Sequence, residues 1–203
     1  MTLRSPGIES GIDQTVSGVK TFSAAPLTSG ANGTVTTGAT TVAVEYGDPV
    51  NHVTKLTMTA FAVGTSGDNV AKAIGASFYT FPAGVIVVEN ATLTGTLNAA
   101  ISVQTDTPDV AIGTVVGSGA NAVLSAVGAT SENVLGGITA ASVNNGAVGG
   151  SSVTGAGSLI PLFITAAGVH VLYLNVAATW ADVAAAGAVT FTGVITIRWR
   201  LVS

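Results

Sequence analysis

The chain contains no cysteine. Disulfides and thiolate metal sites are therefore excluded, and cysteine usage says nothing about redox compartment. Charge is nearly as scarce. Only 8% of residues are charged, against roughly 25% in an ordinary soluble domain. The six basic and ten acidic side chains leave a formal net charge of −4. No basic cluster is present, which argues against a nucleic-acid partner. Between Asn133 and Val169 there is no charge at all, but Gly, Asn, Ser and Thr interrupt the interval and Pro161 sits inside it. It is not a transmembrane helix, and no membrane partner is expected. The opening M-T-L-R-S-P-G-I-E-S has no apolar h-region. We read no secretory signal there, and for that reason set aside an outer-membrane barrel.

What remains is Ala, Val, Gly, Thr and Ser, with 48% hydrophobic residues and 26 glycines in 203 positions. That length allows one large all-β domain or one domain plus an appendage, with a core that needs no staples. A soluble monomer normally covers itself with Lys and Glu. So few charges imply a Thr/Ser/Asn surface, a surface buried against other subunits, or both. We expect both.

The clearest element is Val189 to Val202, V-T-F-T-G-V-I-T-I-R-W-R-L-V. Val189, Phe191, Ile195, Ile197, Trp199 and Leu201 share one face at period two, and Thr190, Thr192, Thr196, Arg198 and Arg200 share the other. This is a strand with one buried face, about 46 Å long, placed centrally in a sheet. Gly193 marks a bulge or bend. Further strands are expected near Lys55 to Ala62, Ala71 to Phe81, Val85 to Leu97, Ile101 to Thr105, Val110 to Val116, Asn121 to Val127, Leu159 to Ala166 and Val169 to Val176. Leu56, Met58, Ala60 and Ala62 alternate with Lys55, Thr57, Thr59 and Phe61, which reads as mixed faces. Helical turns are expected at Thr130 to Leu135 and Trp180 to Ala186, and a long loop or an edge region from Gly136 to Gly157. The fold class is all-β: a jelly-roll-like β-sandwich body over 48–203, with an extended N-terminal arm over 1–47. The arm is Gly-, Ser- and Thr-rich with single apolar residues, and about 30 extended residues reach on the order of 100 Å.

Within the arm, Asp13 to Pro26 reads D-Q-T-V-S-G-V-K-T-F-S-A-A-P. It resembles a short element of bacteriophage tail fibres and other virion proteins, with Gly18, Lys20, Thr21, Phe22, Ser23 and Pro26 all in place. A second resemblance covers most of residues 41 to 203. Its parts are Y-G-D-P-V-N-H-V-T-K-L-T-M (Tyr46 to Met58), F-Y-T-F-P-A-G-V-I (Phe78 to Ile86) and F-T-G-V-I-T-I-R-W (Phe191 to Trp199). These are similar to small phage and virome structural proteins. The resemblance implies a virion structural protein made in the host cytoplasm and mounted on the capsid surface as a decoration, or cement, protein. It further implies a homotrimer whose partner is the major capsid protein. The first element implies instead a tail-fibre or host-attachment component, binding through loops such as Gly136 to Gly157.

No catalytic site, cofactor or metal set is expected. His52 and His170 are far apart and read as structural histidines. Asp106 and Asp109, in T-D-T-P-D, read as a Pro-stiffened turn, as do Glu45 and Asp48 around Tyr46-Gly47. No Gly-x-Ser-x-Gly or phosphate loop occurs. A glycan hydrolase would need a carboxylate pair that is not evident. The candidate interaction residues are Lys20, Phe22, Arg198 and Arg200. The two arginines either pair across strands with Glu89 or another acid, or make an intersubunit or capsid contact.

Overall fold

Period-two patterning with β-branched residues produces strands, and each strand must bury its apolar face on another layer. A computed structural model of the chain describes residues 32–36, 40–48, 50–99, 107–140, 151–156, 162–164, 170–181 and 186–202. Among these it holds eleven strands: β1 (Thr34–Val35), β2 (Thr41–Gly47), β3 (His52–Thr65), β4 (Lys72–Thr80), β5 (Val85–Ala99), β6 (Asp109–Gly113), β7 (Leu135–Thr139), β8 (Ser151–Ala156), β9 (Leu162–Ile164), β10 (Val171–Ala178) and β11 (Ala188–Val202). A short helix α1 (Leu124–Val127) and a 3-10 turn at Ala129–Ser131 lie between β6 and β7.

All pairings are antiparallel, and the strands form two sheets of a β-sandwich. One sheet runs β1-β4-β10-β6-β7 and the other β2-β3-β11-β5-β8, with β9 also on β5. From β3 to β6 the chain changes sheet at every step, and it does so again from β9 to β11.

The core lies between the sheets. Leu56, Phe61, Phe191, Ile195, Ile197, Trp199, Ile86, Leu93 and Leu97 of the β11 sheet meet Ile74, Phe78, Ile112, Leu172, Leu174 and Val176 of the β10 sheet. Each such side chain contributes about 1.5–3 kcal/mol relative to exposure. A second cluster of Ala73, Ala111, Ala177 and Leu124 sits on the opposite side of the β10 sheet, with Val127 packed against it. There the segment from Thr114 to Val134 covers the sheet. Buried Asn175 of β10 pins it: Oδ1 accepts from the Gly117 N–H (2.7 Å), and Nδ2 donates to the Val115 and Ser131 carbonyls (3.0 and 2.7 Å).

Strand β11 is central between β3 and β5, as its pattern requires. Its register against β3 shifts between Phe191 and Gly193, beside the expected bulge or bend, but the extra residue belongs to β3 and not to β11. Two residues of β3, Thr59 and Ala60, there oppose Thr192. Ala60 takes a left-handed φ of 49° and its N–H donates to Thr192 Oγ1 at 2.9 Å. The bulge also explains the mixed faces of β3. Leu56 and Met58 are buried before it, Phe61 and Val63 after it, and Ala60 and Ala62 are exposed.

Other expectations change. Strands β1 and β2 fall within the span assigned to the arm, yet β2 pairs with β3 over its whole length. The body therefore begins by Thr34, because a hairpin folded about Asp48 buries Thr41 and Glu45. Residues 1–31 lie outside the described residues. Asn121 to Val127 forms a loop and α1 rather than a strand, because Leu124 must cap the small-residue patch of Ala73, Ala111 and Ala177. Thr130 to Leu135 divides between the 3-10 turn and β7. The span from Gly136 to Gly157 contains most of β7 and all of β8, each at the end of its sheet, which fits the edge region and not the long loop. Ile101 to Thr105 lies outside the described residues, as does most of Trp180 to Ala186.

Candidate docking face and a buried polar cluster

Two features stand out, in a core where the buried Thr41 Oγ1 and His52 Nδ1 make no hydrogen bond among the described residues. The first is a polar cluster inside the sandwich. Strand β2 turns Glu45 inward, and three donors converge on its carboxylate. His52 Nε2 lies 2.8 Å and Thr54 Oγ1 2.5 Å from Oε2, while the Tyr79 hydroxyl donates to Oε1 at 2.8 Å. Trp199 Nε1 donates to Thr54 Oγ1 at 2.8 Å. The His52 ring stacks on Trp199 at 4.1 Å, and Phe81 meets Trp199 edge-on at 5.2 Å. All of these side chains are buried. Burial raises the Tyr79 pKa well above the ordinary tyrosine value; the Thr54 hydrogen bond lowers it, and the Glu45 carboxylate raises it again. The phenol therefore stays a donor.

The cluster joins the parts of the second sequence resemblance. His52 and Thr54 come from the first segment, Tyr79 and Phe81 from the second and Trp199 from the third. Glu45, the acceptor at its centre, was read from sequence as a turn residue. Only the inward phase of β2 reveals it. Asp48 does hold the turn: its Oδ1 accepts the N–H groups of Val50 and Asn51, both at 2.8 Å. Such a dry, hydrogen-bonded cluster fixes the β2–β3 hairpin against β4 and β11.

The other expected residues separate. His170 Nε2 donates to the Gly84 carbonyl at 2.7 Å, a structural histidine. Asp109 begins β6 and accepts the Leu124 N–H at 2.8 Å, so it anchors α1 rather than forming a turn. Burial raises its pKa above the ordinary aspartate value, offset in part by that N–H. Asp106, Lys20 and Phe22 lie outside the described residues. Among the described residues no three of His, Cys, Asp and Glu gather to hold a metal ion. No helix there is long and apolar enough to cross a membrane.

The second feature is the outer face of the β11 sheet. The Thr114 to Val134 segment covers the β10 sheet, whereas long stretches of this face are exposed. Directly opposed residues give three rungs: Tyr46–Val53–Arg198–Asn90, Val44–Lys55–Thr196–Thr92 and Val42–Thr57–Val194–Thr94. The face is threonine, valine and asparagine with few charges, and Val42 is 62% exposed. Arg198 and Arg200 stand on it, and the register with β5 shifts between Arg198 and Trp199. That bulge leaves Glu89 unpaired in the ladder and sets its carboxylate between the two arginines, 3.2 Å from Arg198 Nε and 3.6 Å from Arg200 Nε. The expected pairing with Glu89 is thus present. With the arginines 57% and 44% exposed, it contributes at most about 1 kcal/mol.

The chain matches no family model, no curated protein and no solved structure.

Proposed function

We propose that this chain is a bacteriophage virion structural protein, a decoration (cement) protein that binds between subunits of the major capsid protein on the capsid surface. Its action is associative. The observation that carries the reading is the long, threonine- and valine-rich outer face of the β11 sheet. Strands about 4.8 Å apart and up to fifteen residues long present on the order of 800 Å² there. That equals one partner's share of a standard protein interface. A face mostly of threonine hydroxyls and valine methyls suits docking to a protein lattice, because only its four charges, Lys55, Glu89, Arg198 and Arg200, carry the cost of desolvating an ion.

Two further points support it. The three segments on which the sequence resemblance rests converge on one cluster, as parts of a single folding unit would. The strand order also supports the jelly-roll reading. Without the edge strands β1 and β2, the sheets read β3-β11-β5-β8 and β4-β10-β6-β7, the order of two interwound Greek keys. Jelly rolls serve viral capsids and lectins alike, so the order alone does not choose a function. In this reading the chain is a homotrimer, and its N-terminal residues reach to a neighbouring subunit. The tail-fibre alternative rests on Asp13 to Pro26.

The test mixes purified chain with capsids assembled without it. Oligomers that co-sediment with the capsids and raise their disruption temperature are expected. A protein that is monomeric at micromolar concentration and leaves such capsids unbound overturns the proposal.

A further inference from the structure

The described residues hold four Lys or Arg side chains: Lys55, Lys72, Arg198 and Arg200. Three of them stand on the outer face of the β11 sheet, beside a single acid, Glu89. Lys72 does not. It lies on the other sheet, with Nζ held by the Thr65 and Ser66 carbonyls at 2.8 and 3.4 Å. The remaining described acids, Glu45, Asp48, Asp68, Asp109 and Glu132, belong to the core, the turns and the cover of the β10 sheet. Among the described residues, a protein that is acidic overall thus has one face with a surplus of positive charge.

That face is also indented. Val53, Asn90, Thr92, Thr196 and Arg198 line a depression of about 200 Å³ with mostly apolar walls. It is smaller than the roughly 300 Å³ at which drug-sized ligand sites begin. Its size fits one inserted side chain. Lys55 is the direct neighbour of Thr196 across the β3–β11 ladder. Arg198 gives its Nε to Glu89, which leaves the two terminal nitrogens of the guanidinium as further donors.

We propose that this depression is a socket for a glutamate side chain of an acidic protein surface. The methylene stem lies along Val53 and the threonine methyls, and the carboxylate meets Arg198 and Lys55. The inference deepens the associative reading above and rests on it for the nature of the partner. Charge complementarity selects the occupant. A polyphosphate partner fits less well, because three cations offset by Glu89 and interleaved with Val42, Val44, Tyr46 and Val53 are a poor track for a phosphate backbone.

The test uses the full-length chain and a fluorescein-labelled decaglutamate peptide, with decaglutamine as control, read by anisotropy at low salt. Decaglutamate is expected to bind and decaglutamine not to. The double variant K55Q/R198Q is expected to weaken binding roughly tenfold or more, and added salt to weaken it further. K72Q is expected to bind as wild type. Hydrogen-exchange protection should centre on residues 90–94 and 194–198. Equal binding of the two peptides, or wild-type affinity in K55Q/R198Q, overturns the socket. So does tighter binding, through the same residues, of a duplex DNA or of phosphatidylserine vesicles. The capsid experiment separates the two ideas. Capsid binding that survives K55Q/R198Q removes the socket and leaves the virion reading. Peptide binding without capsid binding does the reverse.

Discussion

Glu45 and His52 face each other across the β2–β3 hairpin, with His52 Nε2 2.8 Å from Glu45 Oε2 and both side chains buried. Thr54 and Tyr79 donate to the same carboxylate. Glu45→Ala strands the buried His52 donor and leaves the Thr54 and Tyr79 hydroxyls, 3.1 Å apart, with only each other to donate to. Removing one member of such a cluster costs about 3–5 kcal/mol. In a body of this size the melting temperature should fall by roughly 10 °C. Glu45→Gln keeps two acceptor lone pairs and should lose less. Thermal unfolding of the two variants checks the order. Equal loss in both would show that the carboxylate is not the shared acceptor.

Gly95 and Gly193 are partners across β5 and β11, and the Phe191 ring packs against both. A Cβ on Gly95 would lie 2.5 Å from the Thr192 carbonyl oxygen and 2.6 Å from the Phe191 ring. A Cβ on Gly193 would meet the Thr94 carbonyl oxygen at 2.4 Å. Gly95→Ala should destabilise by about 2 kcal/mol through overpacking. Urea denaturation measures it, and a change within about 0.5 kcal/mol would contradict the close approach.

Ala60 holds a left-handed φ of 49° at the β3 bulge, a conformation that costs an L-residue roughly 1–2 kcal/mol. Ala60→Gly should therefore stabilise by about 1 kcal/mol after the greater chain entropy of glycine is counted. The same urea experiment reads this gain, and destabilisation would argue against the bulge.

Burial raises the Asp109 pKa above its ordinary value. The folded state then holds this proton more tightly than the unfolded chain does. This group's contribution to stability falls as pH rises from the unfolded value, about 3.9, through the raised folded value, and the full penalty is present above that. Asp109→Asn keeps an acceptor for the Leu124 N–H and removes the titration. The variant should gain on wild type as pH rises from about 4 to 7. A stability difference independent of pH would exclude the effect.

Much of this molecule is legible in its residues because strands announce themselves at period two. The β11 pattern shows a central strand, Gly193 stands beside a register shift whose extra residue is in β3, and Glu89 is an expected partner for Arg198 and Arg200. The losses share a cause, which is that bulges and hairpins change phase without changing composition. In β3, one extra residue at Thr59-Ala60 moves Phe61 to the core and makes an ordered strand look mixed. In β2, a Gly- and Thr-rich approach hid a strand whose inward residue, Glu45, centres the buried cluster. Near α1, the alternation of Asn121 to Val127 imitated a strand, because a four-residue helix is too short to show its own period.

The central claim is association through the outer face of the β11 sheet. Cryo-electron microscopy of the intact particle tests it most directly. This chain is expected at regular positions on the head, with Val53, Thr92, Thr196 and Arg198 turned toward the capsid shell. Density for the chain only at the tail, or on the head with that face turned to solvent, would contradict it.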